Sequence, residues 1–129
     1  MSNVKISIII ATFNSAKTLR VALNSVMLQT FQDWECIVVD GLSKDNTLEI
    51  VKEFEAKDVR FHHISEPDKG IYDAFNKGWK LAKGEWIYYL GSDDQVTRNG
   101  LTDLMDVSTS EASVLYGDMY AIFEDGSER

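Results

Sequence analysis

The residues of this chain best suited to chemistry are acids and short polar side chains that follow apolar runs. Thr12-Phe13-Asn14 follows the first run, Asp40-Gly41 ends the second, Gly91-Ser92-Asp93-Asp94 ends a later one, and Gly117-Asp118 lies in the last apolar region. Adjacent carboxylates repel, and bringing Asp93 and Asp94 near further acids raises that cost. A hard divalent cation removes the problem, because Mg²⁺ commonly takes one or two carboxylates and fills its other places with substrate phosphates. Bound there, a Mg or Mn divalent cation would let a chain of formal net charge −8 hold a diphosphate. The competing reading of Asp93-Asp94 is a turn ahead of a helix near Asn99. Asp40 also has two readings: a loop-stabilising carboxylate before a permissive glycine, or an acceptor for a base or ribose at a strand end.

The elements that must carry these residues are set by the apolar pattern. Ile6 to Ala11 is a continuous β-branched run, the signature of a strand buried on both faces of a parallel sheet. Asn14-Ser15 offers a helix cap, and Leu19, Leu23, Val26 and Met27 come next at helical spacing. Trp34 to Asp40 reads as a second strand, and Asp45-Asn46-Thr47 caps a second helix whose inner face is Leu48, Val51 and Phe54. Arg60 to Ile64 is a third strand, Ile71 to Leu81 a third helix, Glu85 to Leu90 a fourth strand and Asn99 to Asp106 a short helix. Val114 to Phe123 forms one or two further strands, with Asp125-Gly126 as a turn signal. This alternation predicts an α/β domain with an open, mostly parallel sheet, right-handed crossovers and helices on both faces. Ligands bind such sheets outside the carboxyl ends of the strands, so these polar residues converge on one edge.

Composition sets bounds on partners. With 129 residues the chain fits one domain. There is no block of basic residues to track a nucleic-acid backbone, so no nucleic acid is expected as a partner. No apolar stretch approaches the ~20 residues of a membrane span, and Met1 to Lys5 lacks the apolar segment of a secretory signal. A cytoplasmic location is expected, with peripheral membrane contact left open. Cys36, the single cysteine, lies in an apolar run and reads as a small buried hydrophobe. His62 and His63 are neighbours on a strand, so their side chains point to opposite faces and do not share a metal. Trp34, Trp79 and Trp86 are assigned to the core or its rim. Lys69 and Lys77 are surface lysines by default, on a segment that leans toward the site. No Gly-rich dinucleotide fingerprint or Walker pattern comes after the first strand.

Five short motifs in order resemble the inverting family-two glycosyltransferases, over Ile6 to about Asp118. They are Ile8-Ile9-Ile10-Ala11-Thr12-Phe13-Asn14; Asn24-Ser25-Val26 with Gln29 and Phe31; Glu35 to Gly41 with Ser43, Asp45 and Thr47; Asp68 to Gly78; and Gly84-Glu85 with Leu90 to Asp94. The resemblance implies a GT-A, Rossmann-like fold and transfer of a sugar, with inversion, from a nucleotide donor, a UDP-sugar, to a hydroxyl on a glycan or lipid-linked acceptor. It implies that Thr12, Phe13, Asn14 and Asp40 contact the nucleotide, that Asp73 lies near the ribose or diphosphate, and that Asp93 and Asp94 form the metal motif, with Asp94 favoured as the ligand.

Three positions depart from the family pattern. Ala11 replaces a proline, Gly91 stands where many relatives carry the first aspartate of the metal motif, and the chain ends at Arg129, ahead of the family's acceptor site and catalytic base. The chain is therefore expected to be the N-terminal, truncated part of one glycosyltransferase domain, binding donor but lacking the base. Two other readings compete: a nucleotide-binding module without catalysis, and a receiver-type signalling domain. The receiver needs an acidic pair after the first strand, where this chain has Thr12-Phe13-Asn14.

Overall fold

A computed structural model describes residues 4–107 and 120–122. The elements, in chain order, are β1 (Ile6–Thr12), α1 (Ala16–Met27), β2 (Trp34–Asp40), α2 (Thr47–Lys57), β3 (Phe61–Ser65), α3 (Ile71–Leu81), β4 (Trp86–Gly91), α4 (Gly100–Val107) and β5 (Tyr120–Ile122). Through α4 these fall within about two residues of the segments expected from the apolar pattern. The sheet order is β3-β2-β1-β4-β5, with the first four strands parallel and β5 antiparallel to β4. Of the strand expected over Val114 to Phe123, Tyr120–Ile122 is described; Gly117-Asp118 and Asp125-Gly126 lie outside the described residues.

The central strands explain themselves. Every side chain of β2 is buried, and β1 is buried throughout except at Ala11, because helices cover both faces. On one face Ile6, Ile8, Ile10, Cys36 and Val38 pack with Leu19, Leu23 and Val26 of α1, Val51 and Phe54 of α2, and Leu101 of α4. On the other, Ile9, Ile37, Val39 and Ile87 receive Ala74, Phe75 and Trp79 of α3. Burial pushes the Cys36 thiol up out of its ordinary range, with the neighbouring Glu35 adding to the effect, so it stays protonated and packs as a hydrophobe. Trp34 is a core residue, and Trp79 and Trp86 are partly buried against the core. His62 is exposed, whereas His63 bonds Glu55 through Nδ1 at 2.7 Å. No helix among the described residues is long and apolar enough to cross a membrane.

The placing of α3 bears directly on ligand binding, since the loop before it walls the binding edge. Ala74 and Gly78, the two residues α3 buries, are small and one turn apart. They let the helix axis approach the sheet closely. A methyl added at Gly78 would sit 2.5 Å from Ile9 Cγ2 and 3.1 Å from Val39 Cγ2. Both neighbours are fully buried in central strands and have nowhere to move.

Gly78→Ala is therefore expected to destabilise the fold despite alanine's better helix propensity. Overpacking costs about 1–3 kcal/mol, and the gain in propensity offsets ~1 kcal/mol of it. A urea unfolding curve read by tryptophan fluorescence should move to a lower midpoint. A midpoint equal to the parent's or higher would show that α3 stands further from the sheet.

Candidate functional site

From β1 the chain moves outward to β2 and β3, then crosses back to β4 on the other side of β1, so the strand order reverses between β1 and β4. Loops leaving those two strands diverge, and the crevice between them is where open α/β sheets bind ligands. A cleft of about 410 Å³ lies at this point. Its walls are Thr12, Phe13 and Ser15 after β1, Gly41 after β2, Asp68 and Ile71 from the β3–α3 segment, and Ser92 after β4. Asp40 and the Asp93-Asp94 pair end parallel strands that flank β1, so they share one edge of the sheet.

Asp40 does not face that cleft as an open acceptor. It is fully buried, and its carboxylate receives four protein hydrogen bonds. Thr12 Oγ1 donates to Oδ1 at 2.7 Å and Ser43 Oγ at 2.5 Å; Ser43 N–H donates to Oδ2 at 2.8 Å and Ser65 Oγ at 3.0 Å. A buried carboxylate is tolerated only when its lone pairs are filled, and these are. All four bonds come from the protein, the arrangement that the loop-stabilising reading of Asp40 expects. Thr12 Oγ1 is likewise engaged inside, while Phe13 stands 61% exposed at the cleft.

Asn14 adopts a left-handed backbone, φ 50°, and its role is to tie loops. Its N–H donates to Ser43 Oγ at 2.7 Å, and its Oδ1 accepts from Lys44 N–H at 2.7 Å. The helix cap expected from Asn14-Ser15 comes from elsewhere: neither α1 nor α2 has a side-chain bond from its own N-cap residue. Instead Asp45 Oδ2 accepts Ala16 N–H at 3.1 Å, and Asp45 Oδ1 accepts Thr47 N–H at 3.0 Å and the Thr47 hydroxyl. One carboxylate thus serves the first turn of two helices, where the helix dipoles favour negative charge. The Thr47 hydroxyl holds the Asp45 carboxyl below its ordinary range, helped by the backbone N–H groups of Thr47 and Ala16.

After β4 the chain turns sharply, with Asp94 N–H bonded to the Gly91 carbonyl at 3.1 Å. Gly91 has a positive use here. The point its missing Cβ would occupy lies 2.5 Å from Asp94 Oδ2 and 3.2 Å from Asp93 Oδ1, so both carboxylates fold back over the strand end. Neither acid takes part in an ion pair among the described residues. Two convergent carboxylates fit Mg²⁺ or Mn²⁺ that completes its shell with phosphate and water. Among the described residues no group of three or more metal-binding side chains gathers, so the remaining ligands would come from substrate and solvent. Ser92 lines the cleft beside them, its Oγ 3.1 Å from Ser15 Oγ.

Asp73 is engaged rather than open. Its Oδ2 accepts Lys69 N–H at 2.9 Å and lies 3.7 Å from Lys77 Nζ. The Lys69 N–H, and then Lys77, hold its carboxyl below the usual range. Lys77 also donates to the Pro67 carbonyl and pairs with Glu66 at 3.2 Å. Asp73 and Lys77 thus clamp residues 66–70, the loop that presents Asp68. Asp68 and Ser15 are cleft residues that the sequence alone does not single out as contacts. The turn chemistry of Pro67-Asp68-Lys69-Gly70 is the available signal for the first of them.

The pattern of the glycosyl transferase family 2 matches residues 7–129. A PGL/p-HBAD biosynthesis glycosyltransferase of Mycobacterium tuberculosis is 43% identical over 91 residues, 70% of this chain and 36% of that protein. The poly(ribitol-phosphate) beta-N-acetylglucosaminyltransferase TarP of Staphylococcus aureus is 32% identical over 122 residues, 92% of this chain and 37% of its own. Among solved structures, S. aureus TarS 1–349 in complex with UDP-GlcNAc superposes with a TM-score of 0.75 at 32% identity, covering 79% of this chain and 30% of that one. A mannosyltransferase of Pyrobaculum calidifontis, in complex with GDP-Man and Mn²⁺, has the same fold, with a TM-score of 0.85 at 16% identity over 97% of this chain and 46% of that one. The chain spans a little over a third of the length of the curated relatives it matches.

The geometry of Asp40 makes a specific expectation for Asp40→Asn. The amide would turn an NH₂ toward donors that now find an oxygen, leaving at least one buried donor unmatched. The expected loss is about 1–3 kcal/mol in chemical unfolding. An unchanged unfolding free energy would mean that the carboxylate is not the buried acceptor of these four bonds.

Proposed function

The chain belongs to glycosyl transferase family 2, and on that premise we propose that it forms the donor-binding part of an enzyme that moves a sugar from a nucleoside diphosphate to a hydroxyl acceptor in glycan or glycolipid synthesis. The observation that carries this reading is the cleft at the strand reversal, whose walls include an exposed aromatic ring at Phe13 and Ser92, the residue next to Asp93-Asp94. A nucleotide needs both surfaces: an apolar face for its base and a means of holding its phosphates. The likeness to a relative solved with UDP-GlcNAc supports a uridine donor.

In this reading Phe13 stacks on the base, and Thr12 and Asn14 keep that loop in place through Asp40 and Ser43. Asp94, with Asp93, would hold a divalent cation. When bound, Mg²⁺ or Mn²⁺ supplies neutralisation of the charge that develops on the departing diphosphate. Ser92 sets the turn against Ser15, so the acids and the base-binding loop keep a constant spacing. Displacement proceeds in line at the anomeric carbon with inversion, and a carboxylate base takes the acceptor's proton. We assign that base, and recognition of the acceptor, to the portion that the longer relatives carry beyond the position of Arg129. No described carboxylate is given the role.

Titration calorimetry of UDP with Mn²⁺ or Mg²⁺ tests the donor site. The parent chain should bind UDP more tightly with the cation than in EDTA. Asp94→Asn should weaken the cation-dependent binding about tenfold or more, equivalent to about 1.4 kcal/mol. Equal cation-dependent affinity in the two proteins would remove Asp94 from the metal site.

A further inference from the structure

Gln29, just past the end of α1, is a polar side chain only 1% exposed, and it does not line the cleft. Its amide is engaged on both sides. Nε2 donates to the Ser25 carbonyl at 3.0 Å and to the Thr97 carbonyl at 2.6 Å, while Oε1 accepts Leu101 N–H at 3.0 Å. That last bond meets an N–H in the first turn of α4, one of those a helix leaves without an internal partner. Donating and accepting from one planar group at this length is what glutamine offers. Glutamate accepts without donating, and methionine fills the space without donating.

What the amide reaches is the path of the chain out of the acidic turn. Residues 94–99 belong to neither a strand nor a helix, so no ladder of their own fixes them. Their route is set from α1 and the residues after it. Ser25 Oγ accepts Val96 N–H at 3.0 Å, Gln29 holds the Thr97 carbonyl, and Thr30 N–H donates to the Arg98 carbonyl at 3.1 Å. The Val96 side chain is buried in the same core cluster as Leu23 and Val26. These tethers begin two residues past Asp94, and at the other end of the turn Gly91 is paired with Ala11 in the sheet. The turn is thus clamped before and after its two acids. Both carboxylates fold over Gly91, where like charge opposes them. Slack in the exit would let them part, whereas a cation needs them together. A site already held in that geometry loses less of its binding energy to ordering.

We propose that Gln29, with Ser25, is a positioning residue for the acidic turn. By fixing the backbone from Val96 to Leu101 it keeps Asp93 and Asp94 in the arrangement that takes a divalent cation, and it touches neither cation nor nucleotide. The inference rests on the donor-site reading, in which those acids hold Mn²⁺ or Mg²⁺. Its readout is the factor by which Mn²⁺ raises UDP affinity over the value in EDTA, measured by calorimetry on the parent chain, Gln29→Met, Ser25→Ala and Ser7→Ala. Gln29→Met keeps the buried volume and removes the amide's bonds; Ser25→Ala removes the bond to Val96. Ser7→Ala is the comparison for general loss of stability. It removes a buried hydroxyl that donates to Glu35 at 2.6 Å and accepts Gly84 N–H at 2.8 Å, near the amino end of β1. Gln29→Met and Ser25→Ala should each lower the Mn²⁺ factor about fivefold, the scale of one net hydrogen bond, with affinity in EDTA at the parent's value. Ser7→Ala should unfold at lower urea and keep the parent's factor.

A parent-like Mn²⁺ factor in both α1 variants overturns the proposal. So does an equal loss of affinity in Mn²⁺ and in EDTA, which marks a general loosening of the cleft, or an equal drop of the factor in Ser7→Ala. Where Gln29→Met does not fold, Ser25→Ala decides alone. A parent chain that binds UDP equally in Mn²⁺ and EDTA overturns the cation reading, and this inference with it, a result seen without any variant.

Discussion

A buried carboxylate at the top of β2 holds the binding edge together. Ionised groups leave water at a cost of several kcal/mol unless their lone pairs are filled, and the fold fills those of Asp40 from three neighbouring places. Thr12 comes from the end of β1, Ser65 from the end of β3, and Ser43 from the loop after β2 itself. The ends of three adjacent strands are thereby held level. Backbone bonds continue the same arrangement: Gly41 N–H reaches the Thr12 carbonyl at 2.9 Å, and Glu66 N–H reaches the Asp40 carbonyl at 2.9 Å. Phe13, Gly41 and the loop carrying Asp68 all leave from positions that Asp40 organises. Asp40 itself is fully buried and is not among the residues that line the cleft.

The acidic turn after β4 has its own anchor, supplied by α1. Gln29 is almost fully buried just past the end of that helix; its Nε2 donates to the Thr97 carbonyl at 2.6 Å and its Oε1 accepts Leu101 N–H at 3.0 Å. Ser25, one turn earlier, accepts Val96 N–H at 3.0 Å. The segment after Asp94 is thus bonded at several points to a helix whose own start is capped by Asp45 beside the β1 loop. Hydrogen bonds thus tie both walls of the cleft to α1, in addition to the Ser15–Ser92 contact.

Much of this was legible in the sequence because it depends on periodicity. Buried parallel strands announce themselves as unbroken β-branched runs, and α3 was readable to the residue because its small and aromatic positions repeat at helical spacing. What could not be read depends on where a side chain points once strands are neighbours. Asp40 is the same residue type in the same motif whether it faces a ligand or four protein donors. Asn14-Ser15 look like a cap, yet the N–H groups at the start of α1 are met by Thr47 and Asp45, far along the chain. Gly91 reads as the loss of a polar contact, whereas in three dimensions it makes room for two carboxylates, and Gly41 does the same for Asp68. A glycine's value as empty space is invisible until its neighbours are placed.

The distribution of satisfied and open acceptors then separates structure from function within one acidic edge. Asp40 and Asp45 have both oxygens bonded by hydroxyls and backbone N–H groups, and Asp73 has Oδ2 engaged by Lys69 N–H and Lys77; for Asp45 and Asp73 those partners hold the carboxyl below its ordinary range. Such acids stabilise loops. Asp68 packs into the space left at Gly41, and the exposed Asp93 and Asp94 into the space left at Gly91. A chain of net charge −8 that offers open carboxylates to its ligand has little direct means of attracting a diphosphate. On the proposed reading attraction arrives with a cation, so cation and nucleotide affinities become a single linked quantity, each raising the other by the same factor. On that reading the acids are no obstacle to anion binding: they make it conditional on a metal ion.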